Sequence, residues 1–331
     1  MECRSIVLNL DIDGMVEPVV KLGVDLAQRF DARLIGLSAA DVAPPVVMEG
    51  GMAFEGESMM RQRKNIRRRL EDLHAKFESI AGARVHTQWR GAVGNPTRLL
   101  IESARLADLI VTASPEGASF GNAYRSTDLG NLILQAGRPV FVPSTNQENF
   151  RINKVLVGWT DTREARRAVL DAMPFLQLAQ EVRIITIDDG PTDETWNGLD
   201  DVVAFLDLHG IEAKAEVFPE KSNGGTIADV AGAMNADLVI TRAYGHSRLR
   251  EWIFGGATRA LLEADRLNRL MRTDRRHRWR SASPPRFRER IPPPLGWLLV
   301  SRDKPAGQTY RKNSGLLLFA LGGDQRPVPL P

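Results

Sequence analysis

Ala107-Asp108-Leu109-Ile110-Val111-Thr112 and Ala236-Asp237-Leu238-Val239-Ile240-Thr241 are two versions of one phrase. Each is an apolar run that follows a polar, helix-like segment and precedes a loop containing Gly or Ser. A phrase that returns in this way makes the chain a repeat of one unit. The match extends upstream. Ser5-Ile6-Val7-Leu8-Asn9-Leu10-Asp11 aligns with Lys154-Val155-Leu156-Val157-Gly158-Trp159-Thr160. Both are short, β-branched-rich runs of the kind a buried parallel strand needs. Half one is the longer, mostly because of a Pro/Gly/Met-rich insert over residues 41–57. Half two has a shorter loop there, around residues 188–195.

With 331 residues the chain is long enough for two domains of ordinary size. Its single cysteine, Cys3, excludes an intrachain disulfide framework and fits a reducing, cytoplasmic setting. Cys3 is read as a strand-edge residue rather than a nucleophile. Residues 1–10 are too short for a secretory signal, since Asp11 and Asp13 interrupt at once. No apolar run reaches the ~18 residues of a membrane helix.

Charge is unevenly spread. Residues 272–331 hold 13 Lys+Arg against 4 Asp+Glu, a net of +9, and 9 of the 19 prolines. Residues 1–271 hold 31 against 37, a net of −6. The tail composition disfavours helix and sheet alike and reads as an irregular basic extension, disordered or off-frame. It carries no aromatic platform or folded module, which argues against nucleic acid as its partner.

Half one predicts strands over 5–10, 33–38, 85–89, 109–112 and 139–142. Helices over 16–30, 58–80 and 97–106, and one before the last strand, alternate with them. Half two predicts strands over 155–159, 183–187, 213–218 and 238–241, with helices over 163–176, 200–209 and 226–235. Residues 144–153 are the polar linker. Such alternation implies parallel strands joined by right-handed crossovers, hence an α/β fold of two tandem doubly wound, Rossmann-like domains, 1–146 and 151–271. The two are expected to pack face to face. The stretch 265–271 breaks its apolar run with Arg266, Asn268 and Arg269, so half two is expected to lack a good fifth strand and to be the less stable half. The long helix over 58–80 carries Arg61, Arg63, Lys64, Arg67, Arg68 and Arg69, read as a solvated face.

In a doubly wound sheet, ligands sit beyond the carboxyl ends of the strands, where strand order reverses. Two features fall there: Asp11 or Thr160-Asp161 after the first strand, and the loop after the fourth. In half two that loop contains Gly245, His246, Ser247 and Arg248, then Gly255-Gly256-Ala257-Thr258 before a helical run. Glycines let backbone amides approach a phosphate, a helix N-terminus adds unpaired N–H groups, and Arg248 could add a charge-assisted contact. The alternative is that these glycines only make turns. In half one, Glu116 and Asp128 stand in the equivalent loop and would repel a phosphate. The five histidines show no zinc-type spacing. There is no Gly-x-Ser-x-Gly elbow.

On these residues the chain resembles the universal stress protein family in its tandem form. The likeness rests on Ile6–Asp11, Gly94-Asn95-Pro96, Ala107–Val111 and Leu132–Val142 in half one. In half two it rests on Val155–Trp159, Ala236–Ile240, Gly245-His246-Ser247 and Gly255–Thr258. It covers residues 1 to about 271. The resemblance implies a five-stranded parallel sheet per domain, pairing of domains, and in many members ATP binding; the partners weighed for this chain are an adenine nucleotide, its own second domain and, as a homodimer, a second copy. Nucleotide-binding members carry Gly-x2-Gly-x9-Gly-Ser/Thr after the fourth strand and an Asp after the first. Half one keeps Asp11 but has Ser126-Thr127 in place of the terminal Gly-Ser. Half two keeps Gly255-Gly256, has Arg248 at the second glycine, and has Thr160 in place of the Asp.

The leading expectation is a cytoplasmic stress-response protein whose cofactor, if any, is ATP held weakly in half two. The alternatives are a nucleotide-hydrolysing enzyme and a nucleic-acid binder acting through the tail. Hydrolysis needs a positioned base or metal, and no carboxylate pair or metal set stands out in the sequence.

Overall fold

The carboxylate that follows Ala in both copies of the repeated phrase has the same task twice. Asp108 Oδ2 accepts the backbone N–H groups of Arg4 and Ser5 at 3.0 and 3.1 Å. Asp237 Oδ2 accepts those of Asn153 and Lys154, both at 2.9 Å. Each aspartate thus fixes the entry of the first strand beside the fourth. The phrase recurs because each half-sheet needs this clamp where two neighbouring strands begin.

The structure, a computed structural model, describes residues 2–44, 55–114, 121–145, 150–219, 226–242 and 267–272. Residues 1–277 group as one compact unit. Half one runs β1 (Ser5–Asn9), α1 (Val16–Phe30), β2 (Arg33–Ala40), α2 (Glu55–Ala81), β3 (Thr87–Val93), α3 (Pro96–Ser103), β4 (Leu109–Thr112), α4 (Leu129–Gln135) and β5 (Val140–Val142). Half two runs β6 (Lys154–Gly158), α5 (Arg163–Leu176), β7 (Glu181–Ile187), α6 (Asp193–Asp207), β8 (Ala213–Phe218), α7 (Thr226–Met234), β9 (Leu238–Arg242) and β10 (Asn268–Arg272). A 3₁₀ turn, Ala104–Leu106, continues α3. The helix ends are set locally. Asn95 Oδ1 accepts the N–H of Arg98 with Pro96 in the first turn of α3, and Thr162 Oγ1 accepts that of Ala165 at the start of α5.

The strand order is β3-β2-β1-β4-β5-β10-β9-β6-β7-β8, one sheet of ten. Within each half all pairing is parallel, and the halves share one order read in opposite directions. The join is antiparallel, with Val142, Phe141 and Val140 opposite Arg269, Leu270 and Met271. This corrects two expectations. The halves do not pack face to face; they continue each other edge to edge. Half two also has its fifth strand, and it runs one residue past the expected boundary at 271.

The reason is long-range. Leu270 and Met271 are buried, one to each face. Of the residues that seemed to break the run, Arg266 lies outside the described residues, and Asn268 and Arg269 find partners in half one, Asn268 Oδ1 accepting the N–H of Ser144 at 2.9 Å. Arg269, fully buried, donates from Nη2 to the carbonyl of Pro143 at 3.3 Å. Arg272 donates to the carbonyl of Gly137. The join leaves neither β5 nor β10 with an open edge at the middle of the sheet.

Alternate strand residues feed two helical layers. Ile6, Leu8, Phe141, Val155, Val157 and Leu270 pack against α1, α2, α5 and α6. Val7, Ile110, Val140, Leu156, Val239 and Met271 pack against α3, α4 and α7. In the first layer Phe175 of α5 meets Phe30 of α1 edge-on at 5.1 Å and stacks on Phe141 at 5.7 Å. The two halves therefore share one core.

Candidate functional site

Strand order reverses between β1 and β4 in half one and between β6 and β9 in half two. The carboxyl ends of those pairs are the two candidate crevices. The first is filled by side chains. Asn9 Nδ2, at the end of β1, donates to Thr112 Oγ1 at 2.9 Å and to Thr127 Oγ1 at 3.2 Å, and all three residues are buried. Thr127 and Ser126, both buried, are the pair set from sequence against a terminal Gly-Ser. Ser126 Oγ closes its own loop on the carbonyl of Asn122 at 3.0 Å. Asp128, expected to repel a phosphate, caps α4 through the N–H of Asn131 at 3.0 Å.

Asp11 is half-buried just past β1. Its carbonyl accepts Gly14 N–H at 3.1 Å and its Oδ1 accepts Asp13 N–H at 3.4 Å, which shapes the turn into α1. A Cβ at Gly14 would come to 3.0 Å from Asp11 Cβ, so the turn is tight there and a side chain would have to displace Asp11 by a few tenths of an ångström. Asp13 then takes Arg125 in a two-pronged pair, Nε to Oδ2 at 2.6 Å and Nη2 to Oδ1 at 2.8 Å. That hydrogen bond raises the Arg125 pKa above its usual value.

Beside this pair lies a cleft of about 700 Å³. Its walls come from the ends of β1 and β2 (Asp13, Asp41), from α2 (Asn65, Arg68, Arg69, Asp72) and from the segment after β4 (Tyr124, Arg125). Its three aspartates and three arginines balance. The volume falls in the ordinary range for a small-molecule pocket. Arg69 was read from sequence as part of a solvated face. In the structure it is half-buried and donates from Nε to the carbonyl of Ile12 at 3.1 Å.

In half two, Thr160 is half-buried at the end of β6, and Arg242, at the end of β9, donates from Nε to Thr160 Oγ1 at 2.8 Å. An arginine thus stands at the reversal point of half two, where half one has Ala113. Asp161 is exposed and forms an ion pair with Arg166 on α5, so its carboxylate is turned to that helix. Gly245, His246, Ser247, Arg248, Gly255, Gly256, Ala257 and Thr258 lie outside the described residues, as does the tail from residue 273. Sequence reading missed Arg242, Arg125, Asp13 and the Asn9–Thr112–Thr127 cluster. The signal for Arg242 was present, since it directly follows the repeated phrase where the other copy has alanine.

Among the described residues no group of three or more His, Cys, Asp or Glu is placed to hold a metal. None of their helices is long and apolar enough to cross a membrane. Cys3 is buried, and burial with the nearby Asp108 charge pushes its thiol up to about 12, which makes it a poor nucleophile.

No family model matches the sequence, and no curated protein matches it. Solved structures do match. A universal stress protein from Archaeoglobus fulgidus DSM 4304 is similar at 13% identity and a TM-score of 0.61, over 81% of this chain and 95% of that one. A putative universal stress protein from Pseudomonas aeruginosa UCBPP-PA14 is similar at 15% identity and a TM-score of 0.53, over 82% and 93%. A protein of unknown function from Pseudomonas aeruginosa PAO1 gives 14% identity and 0.51, over 82% and 92%. At such identities the likeness is one of fold, and the fold of this protein is that of the universal stress proteins.

Proposed function

We propose that this is a stress-response protein that holds an adenine nucleotide, ATP, at the carboxyl end of half two. One observation carries the reading. Arg242 stands at the reversal point between β6 and β9, against the Thr160 hydroxyl, and puts a guanidinium where a doubly wound sheet receives phosphate. The sequence adds the other groups. Gly255-Gly256 ahead of Ala257-Thr258 supplies close-approach amides, and Arg248 supplies a second cation. Thr160 takes the part of a hydroxyl partner. Asp161, committed to Arg166, holds the loop and not the ligand.

A second reading is favoured by the cleft of half one, where a ligand would lie against Arg69, Tyr124 and the Asp13–Arg125 pair. The crevice between β1 and β4 is already filled by Asn9, Thr112 and Thr127, so a ligand there would sit to the α2 side.

The test is mass spectrometry of the natively purified protein and of two variants. An adenine nucleotide is expected to co-purify, to be lost from Gly256→Glu and to be kept by Asp11→Ala. Loss from Asp11→Ala with retention in Gly256→Glu would move the site to half one. Absence of any nucleotide, with no binding of added ATP by titration, overturns the proposal.

A further inference from the structure

Helices α2 and α6 are the equivalent second helices of the two halves. They stand in the same layer, at its two outer ends, because α2 packs on β2 and β3 while α6 packs on β7 and β8. An exposed stretch of α2 carries charge opposite to that of α6, although the exposed Glu71 and Asp72 follow it on the same helix. Between residues 61 and 69, α2 has six Lys or Arg and no acid. Helix α6 has five Asp or Glu, namely Asp193, Glu194, Asp200, Asp201 and Asp207, and no base. All five acids are exposed, as are Lys64, Arg67 and Arg68 on α2.

Arg61 pairs with Glu57 and Arg69 bonds the carbonyl of Ile12, but the remaining charges are not used among the described residues. Among the described residues neither Lys64, Arg67 and Arg68 nor the five acids of α6 form an ion pair. The helices do not need them either. Asp193 and Glu194 suit the first turn of α6, but Asp207 lies in its last turn, where the helix dipole disfavours an anion. The basic run lies in the N-terminal half of α2, away from the end a cation would favour. Each face also shows a large apolar side chain: Met60 on α2 is 68% exposed, and Trp196 on α6 is 44% exposed.

We infer that α2 of one copy docks on α6 of a second copy of this chain, forming a closed twofold dimer through this helical layer. The geometry selects the pairing. When two such layers meet face to face about an axis parallel to the helices, α2 of each copy falls opposite α6 of the other. The contact is then made twice and closes. An axis across the helices would set α2 on α2 and α6 on α6, like charge against like. The proposal is independent of any ligand.

The experiment is sedimentation velocity of the full chain at about 0.05 M and about 0.5 M salt. The wild type is expected to be dimeric at low salt and to dissociate at high salt. Lys64→Glu with Arg67→Glu, or Asp200→Lys with Asp201→Lys, should each weaken the dimer at least about tenfold. All four changes in one chain should restore it, because the complementarity is only reversed. Exposed positions keep the fold, which thermal melting checks. A monomer at low salt overturns the proposal. So does a dimer indifferent to both reversals, or a fourfold variant that is not restored. Sensitivity to the α6 reversal alone would put another basic segment on α6, such as the C-terminal one, and overturn it too.

Discussion

Arg272 of β10 and Asp171 of α5 form an ion pair at the middle of the sheet, Nε to Oδ2 at 3.2 Å, with side chains 9% and 5% exposed. Arg167 lies on the same carboxylate at 3.4 Å. The pair ties the last strand to a helix that also packs against half one through Phe175. Removing one partner from a buried pair leaves the other desolvated and unmatched. Asp171→Ala is expected to cost about 3–5 kcal/mol in urea unfolding. Adding Arg272→Met should recover part of that loss. A cost within about 0.5 kcal/mol, the size of an ordinary surface change, would show that the pair does not hold the seam.

Phe141 lies at the centre of the join, opposite Leu270, fully buried, stacked on Phe175 and edge-on to Phe150 at 5.5 Å. Phe141→Ala should cost about 3–5 kcal/mol. If the halves share one core, a single cooperative transition should shift as a whole. Two separated transitions, with only one displaced, would mean that the halves unfold independently.

Hydrogen exchange tests β10 directly. Its backbone is paired on both sides, to β9 and to β5, so amides in 268–272 are expected to exchange as slowly as those of β9. The composition of 273–331 predicts fast exchange there. Limited proteolysis should accordingly leave a fragment that keeps Arg272. Cleavage inside 268–272 in the folded protein would contradict the strand.

Cys3 sets a pH dependence. Its thiol titrates at about 12 in the fold against 9.0 ordinarily. Above pH 9 the unfolded chain loses this proton while the folded chain keeps it, so stability falls as pH rises from 9 towards 12. The slope approaches about 1.4 kcal/mol per pH unit for one group. Below pH 9 the group contributes nothing. Cys3→Ala should remove that slope relative to the wild type, and native Cys3 should resist alkylation at pH 8 until denaturant is added. Rapid labelling of the folded protein would show the thiol to be exposed.

Much of the fold was legible because its signals are local. The apolar period of α1 and α5 and the repeated phrase of β4 and β9 are written in adjacent residues, and α1, α5, β4 and β8 begin and end where the pattern puts them. Helix α6 starts seven residues before its predicted beginning. Its first turns carry no apolar period and are set by the reciprocal Thr192–Thr195 cap. Strand β10 was illegible because Asn268 and Arg269 look like breakers until Ser144 and Pro143, more than a hundred residues away, supply their partners. Thr160 and Asp11 lie just past the first strand of each half, where the sequence pattern puts them. Arg242, which donates to Thr160, and Arg125, which pairs with Asp13, depend on which strands become neighbours, which no single stretch encodes.

The antiparallel join of β5 to β10 turns the strands of one half against those of the other. The crevice between β1 and β4 therefore opens on one rim of the sheet, and that between β6 and β9 on the opposite rim. No single small molecule can bridge them, and filling one leaves solvent access to the other unchanged. A duplicated unit laid out this way frees each rim to drift by itself. One is filled by Asn9, Thr112 and Thr127, while the other carries Arg242, so a symmetric scaffold carries unequal chemistry at its two ends.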